Sequence, residues 1–152
     1  MDSGVNDMNL SKHFTLSEMT VSQTASRKGI DNTPGDTEIV NLKQLCENVL
    51  EPIRDHFGRP VIVTSGFRSV TLNKRIGGSA TSQHCKGEAA DFTVPGVSNF
   101  ELCKWIERNL NYDQLIYEYG ESGWVHASWT ENYRNMELTK RHGTRYLPGI
   151  LK

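Results

Sequence analysis

A chain of 152 residues is long enough to bury one core and too short for two independent ones. Only 36% of it is apolar and its mean hydropathy is −0.54, and no apolar run approaches the roughly 20 residues of a membrane-spanning helix. With 17 basic and 18 acidic residues the net charge is −1, and no basic run exists to track a phosphate backbone, which argues against a nucleic-acid partner.

Residues 1–12 are polar and read as a loose N-terminal segment, without the cationic and apolar stretches of a signal peptide. Residues 13–152 are then expected to form one domain. Thr15, with Glu18 three residues on, marks a helix start, followed by a loop through Asp31, Pro34 and Gly35. Ile39, Leu42, Cys46, Val49, Ile53 and Phe57 recur every three or four residues, the signature of a helix with one buried face. Pro52 predicts a kink or break in it, and Gly58 with Pro60 predicts its end.

"VIVTSGF" (61–67) is apolar and β-branched, hence a core strand, and "VTLNKRIGG" after it reads as a brief helix or turn. "AADFTV" (89–94) predicts another strand. Ser98 and Glu101 then form a capping signature for a helix whose stripe is Phe100, Cys103, Ile106 and Leu110. Residues 113–129 predict a β-hairpin turning at Gly120 to Gly123, and a last strand is expected within 136–147. The order predicts an α+β fold, a small and mainly antiparallel sheet flanked by helices. Cys46, Cys85 and Cys103 are odd in number and lack a CxxC pair, which predicts free thiols made in a reducing compartment.

The stretch "SQHCKGEAADF" (82–92) raises a chemical question. His84 precedes a strand, Asp91 lies on it, and His126 lies on the second arm of the hairpin. Two imidazoles and one carboxylate are a standard ligand set for catalytic zinc, with a fourth position left for water. Alternation places Glu118 on the same side of the hairpin as His126, where a carboxylate can move protons. Arg68, ending the 61–67 strand, is suited to a substrate carboxylate or carbonyl. The residues alone leave plainer readings open. His84 could cap a loop, Asp91 a turn, and His126 could fill the core. Glu118 could be a solvated hairpin residue and Arg68 a surface ion-pair partner. Trp124 and Trp129 read as packing, and Gly77, Gly78 and Gly87 as turn geometry.

"SQHCKGEAAD" fits SxHxxGxAxD without departure, with "SGFRS" (65–69) and "LNKRIGGSATSQH" before it and "WVHAS" (124–128) after. With these motifs, residues 14 to about 130 resemble the superfamily of zinc D-Ala-D-Ala carboxypeptidases and L-alanyl-D-glutamate endopeptidases, most of all its phage and prophage branch. That resemblance implies a Hedgehog/D-Ala-D-Ala peptidase-like fold and Zn2+ held by His84, Asp91 and His126. It implies that Arg68 contacts substrate and that Ser82 lies near the metal. Several relatives carry the catalytic acid three residues before the last histidine, where this chain has Gly123. The role then falls to Glu118, with Glu121 as the alternative.

The function implied is zinc-dependent hydrolysis of a peptide bond in bacterial peptidoglycan. The setting implied is a phage or prophage endolysin or a virion-associated lysin. Such an enzyme waits in the host cytoplasm for a holin-type partner or travels on the virion. The rival expectation is a non-catalytic binding or virion protein of the same fold, with zinc as a structural staple.

Overall fold

The computed structural model describes residues 7–152. Of the segment expected to be loose, residues 1–6 lie outside the described residues, and the remainder is tied down. Leu10 is buried and its N–H donates to the Phe14 carbonyl at 2.8 Å, while the Ser11 hydroxyl and His13 N–H donate to the Glu51 carboxylate.

Helix α1 (Leu16–Thr20) starts as expected, with Thr15 and Glu18 capping each other reciprocally. The loop predicted after it contains a further helix, α2 (Gln23–Lys28), capped by the Ser22 hydroxyl. It buries only Ala25, so it carries no apolar stripe to betray it.

The long helix is continuous from α3 (Asp36–Leu45) through a π-turn (Cys46–Leu50) into α4 (Glu51–Phe57), and Pro52 does not break it. Proline has no N–H to give the preceding turn. Here it sits in the first turn of α4, directly after the wider turn in which Glu51 N–H bonds the Cys46 carbonyl. The extra residue in that turn rotates the stripe, so Leu45 and Leu50 join Leu42, Cys46, Val49 and Ile53 in full burial, while Ile39 and Phe57 are only partly covered. Each such aliphatic side chain contributes about 1.5–3 kcal/mol by leaving water. Gly58 ends the helix as expected.

Strand β1 (Ile62–Ser65) corrects one expectation: it is an edge strand, and Ile62 is 45% exposed. Its β-branched run reflects pairing rather than full burial, and the flanking Val61 and Phe67 reach the core instead. Next come α5 (Val70–Arg75), a 3₁₀ turn (Gln83–Lys86), the buried β2 (Ala89–Thr93) and α6 (Asn99–Asn109). Helix α6 buries Leu102, Cys103 and Ile106, with Phe100 and Leu110 at the margin. The hairpin forms as β3 (Gln114–Glu118) and β4 (Trp124–Ser128), joined through a 3₁₀ turn (Gly120–Ser122). The single strand expected near the end is two: β5 (Met136–Lys140) and the short β6 (Leu147–Pro148).

The sheet order is β1-β2-β4-β3-β5-β6. All neighbours are antiparallel except β3 and β5, which run parallel. The fold is therefore α+β with a mainly antiparallel sheet, as expected. Alternation divides the sheet's two faces. Ala90, Phe92, Leu115, Tyr117, Val125 and Ala127 join the helices in one buried cluster. Their neighbours Asp91, Ile116, Glu118, Trp124 and His126 line a cleft on the opposite face. The three cysteines are free thiols, two of them buried.

Candidate metal centre

Register brings the central residues together. Asp91 on β2 lies directly opposite His126 on β4, and His126 lies opposite Ile116 on β3. His84 arrives from outside the sheet, on the 3₁₀ turn that precedes β2. The Ser82 hydroxyl starts that turn by accepting from His84 N–H at 3.2 Å, and the carbonyl of His84 accepts from Arg68 N–H at 3.1 Å. Gly87 closes the turn at a φ of 75°, and a Cβ there would meet the Glu38 carbonyl oxygen at 2.5 Å. Gly87 thus answers to close packing on α3 as well as to turn geometry.

His84 Nδ1 lies 2.7 Å from the Gly66 carbonyl oxygen. A carbonyl only accepts, so Nδ1 carries the proton and the Nε2 lone pair is free. Nε2 points toward Asp91 Oδ1 at 3.4 Å, and His126 Nδ1 reaches the same oxygen at 2.9 Å. All three side chains are buried, and each offers one ligand atom within 4.8 Å of the others. Ligand bonds of about 2.0–2.2 Å around a tetrahedral zinc separate ligand atoms by roughly 3.4 Å, so this triad needs only small adjustment to grip one ion. The donor set of two nitrogens and one oxygen suits zinc.

The electrostatics agree with ligation. Burial pushes Asp91 up, yet its contacts with His126 and His84 outweigh burial and hold the carboxyl well below its ordinary range. Burial lowers His84, which keeps the imidazole neutral, the form that ligates.

Glu118 reaches within 3.8 Å of His126 Nδ1 through Oε1. Burial raises its pKa above the ordinary glutamate value, the attraction of His126 notwithstanding. Such a carboxyl holds a proton more readily than an ordinary glutamate, which suits a group that accepts and returns one. Glu121 is committed elsewhere: it accepts from Asn99 N–H at 2.7 Å, Phe100 N–H at 3.0 Å and the Tyr117 hydroxyl at 2.6 Å, capping α6. We expect Glu121→Ala to cost about 1–2 kcal/mol of stability in denaturant titration, as lost caps do, and to leave turnover intact. A turnover loss matching that of Glu118→Ala would return Glu121 to the chemistry.

Arg68 lines the cleft beside the triad, bonded through Nε to Ser65 Oγ (3.1 Å), through Nη1 to Asn73 Oδ1 (3.2 Å) and through Nη2 to Asp91 Oδ2 (3.5 Å). Ser82 is at the cleft wall as well as capping the turn. The cleft holds about 740 Å³. Several of its lining residues escaped the sequence reading, Trp124, Arg134 and Tyr146 among them. Trp124, read as packing, forms part of the wall, and Arg134 and Tyr146 come from the terminal region, where no motif announced them. A second acid–histidine group, His13, Glu51 and Asp55, lies apart from the cleft. Both oxygens of Glu51 already accept hydrogen bonds from Ser11 and His13, so this group pins the N-terminal segment to α4.

Fold and site together define a class: an α+β protein whose sheet face presents a three-residue cluster able to hold a metal, with the Glu118 carboxylate beside it. Residues 12–128 match the model of the peptidase M15 family, and the chain belongs to that family. It is also 35% identical over 68 residues to the zinc D-Ala-D-Ala carboxypeptidase of Streptomyces albus G. That match spans 44% of this chain and about a quarter (26%) of the relative.

Proposed function

We propose that this chain is a zinc-dependent peptidase that hydrolyses a peptide bond in the stem or cross-link peptides of bacterial peptidoglycan. The observation that carries the proposal is the convergence of His84 Nε2, Asp91 Oδ1 and His126 Nδ1 at one point of the cleft, with Glu118 beside them. Family membership and the zinc carboxypeptidase relative support both the reaction and the metal.

His84, Asp91 and His126 are the residues that would hold the zinc, which when bound supplies Lewis-acid chemistry at the scissile carbonyl and acidifies water. Glu118 takes the proton of the attacking water and returns it to the leaving amine. Arg68 donates N–H groups to a substrate carboxylate or to the carbonyl oxygen as charge builds on it. Gly66, through its carbonyl, fixes the ring of His84 and so the direction of Nε2. Ser82 sets the turn that delivers His84 and offers a hydroxyl at the cleft wall.

The likeness of the SxHxxGxAxD box and the later WVH to the phage and prophage branch supports a lysin, released through a holin-type partner or carried on the virion. Glu118, beside the triad but outside it, favours catalysis over a purely structural zinc.

Mass spectrometry of muropeptides after digestion of purified peptidoglycan tests the proposal and names the bond. We expect newly cleaved stem or cross-link peptides with the zinc-loaded protein and none after chelation. An unchanged muropeptide profile with the zinc-loaded protein would refute peptidase activity on this substrate.

A further inference from the structure

We propose that Asn73 is a positioning residue that holds the Arg68 guanidinium in the cleft, and that Gly78 is glycine because this contact leaves no room for a side chain. The inference rests on the role given to Arg68 above.

Asn73 is 3% exposed, and a buried amide must find partners at both ends. Its Oδ1 accepts from Arg68 Nη1 at 3.2 Å, and its Nδ2 donates to the Ser79 carbonyl at 2.8 Å. The guanidinium only donates and the carbonyl only accepts, so the partners themselves fix which way the amide faces. The backbone of Asn73 is equally engaged, donating to the Ser69 carbonyl and accepting from Gly78 N–H, both at 2.9 Å. One residue thus ties α5, the 77–79 loop at the cleft wall and the cleft arginine into a single unit.

Gly78 backs against this contact. A Cβ there would fall 2.0 Å from Asn73 Oδ1 and 3.2 Å from Arg68 Nη1. Unlike Gly77, it does not adopt a positive φ, so the close approach and not the turn demands glycine.

The chemistry explains asparagine rather than aspartate. Arg68 already has one carboxylate partner in Asp91, at 3.5 Å. A second would neutralise the charge that substrate must feel, and would face the Ser79 carbonyl with acceptor against acceptor. A neutral amide holds the guanidinium and leaves its charge available.

The test uses full-length protein, isotope-labelled with nitrogen-15, in a double-mutant cycle. In the wild type, hindered rotation is expected to give separate Arg68 Nη1 and Nη2 signals. Asn73→Leu should merge them and lower kcat/KM on peptidoglycan peptides by about 10- to 100-fold, the scale of an ångström-sized misplacement. Asn73→Asp keeps an acceptor and should retain separate signals, yet lose activity because the second carboxylate neutralises the charge. Gly78→Ala should reproduce Asn73→Leu in both readouts. In an Arg68→Ala background, Asn73→Leu should cost less than about 2-fold more. Losses that multiply, or Arg68 signals unchanged in Asn73→Leu, would overturn the proposal. Wild-type protein that cleaves no peptide would refute the proposed function instead, and the nitrogen signals would still decide whether Asn73 holds Arg68.

Discussion

Glu118→Ala is expected to keep its zinc and to lose hydrolysis of purified peptidoglycan by about 10²–10⁴-fold, the usual worth of a positioned acid–base group. The reason is spatial. Glu118 stands 3.8 Å from His126 and supplies none of the three converging ligand atoms, so its loss removes a proton carrier while the ligands stay. Its partner across the hairpin is Trp124, which lines the same cleft. Metal content by elemental analysis and turnover by release of soluble peptides separate the two effects. Undiminished turnover would remove Glu118 from the mechanism. A loss of zinc equal to the loss of turnover would make it a ligand.

The wild type is expected to carry about one zinc per chain, and His126→Ala to lose most of it. Losing a direct ligand should weaken binding by more than the roughly 10- to 100-fold typical of residues that merely orient ligands. The variant should also be less stable without metal. Asp91 is buried, and its contacts with His126 and His84 hold its carboxyl in the ionised form. Deleting a partner of a buried charge costs about 3–5 kcal/mol. Full zinc occupancy in this variant would exclude His126 as a ligand.

Much of this architecture was legible in the sequence, for physical reasons. Period-3.6 stripes and reciprocal caps located α1, the long helix and α6, and alternation paired β3 with β4 and placed Glu118 near His126. The elements that escaped are those whose signals are weak or shared. Helix α2 buries a single alanine, and β1 is as β-branched as a core strand although it lies at the sheet's edge. Pro52 reads locally as a break, and only the preceding π-turn lets the helix pass it. The parallel pairing of β5 with β3 depends on contacts far apart in sequence, so neither it nor the place of Tyr146 in the cleft wall could be derived from local pattern.

Within the candidate site, His84, Asp91 and His126 were singled out through a motif, and the register of Asp91 opposite His126 brings two of them together. Asn73 and Gly78 were hidden for the opposite reason. An asparagine and a glycine in "LNKRIGG" look like ordinary helix-end residues until the guanidinium between them and Asp91 is seen.

The most direct measurement is anomalous X-ray diffraction at the zinc absorption edge from crystals of the zinc-loaded protein. One strong peak is expected within about 2.0–2.2 Å of His84 Nε2, Asp91 Oδ1 and His126 Nδ1 together. A peak confined to His13, Glu51 and Asp55, or none at saturating zinc, would contradict this ligand set.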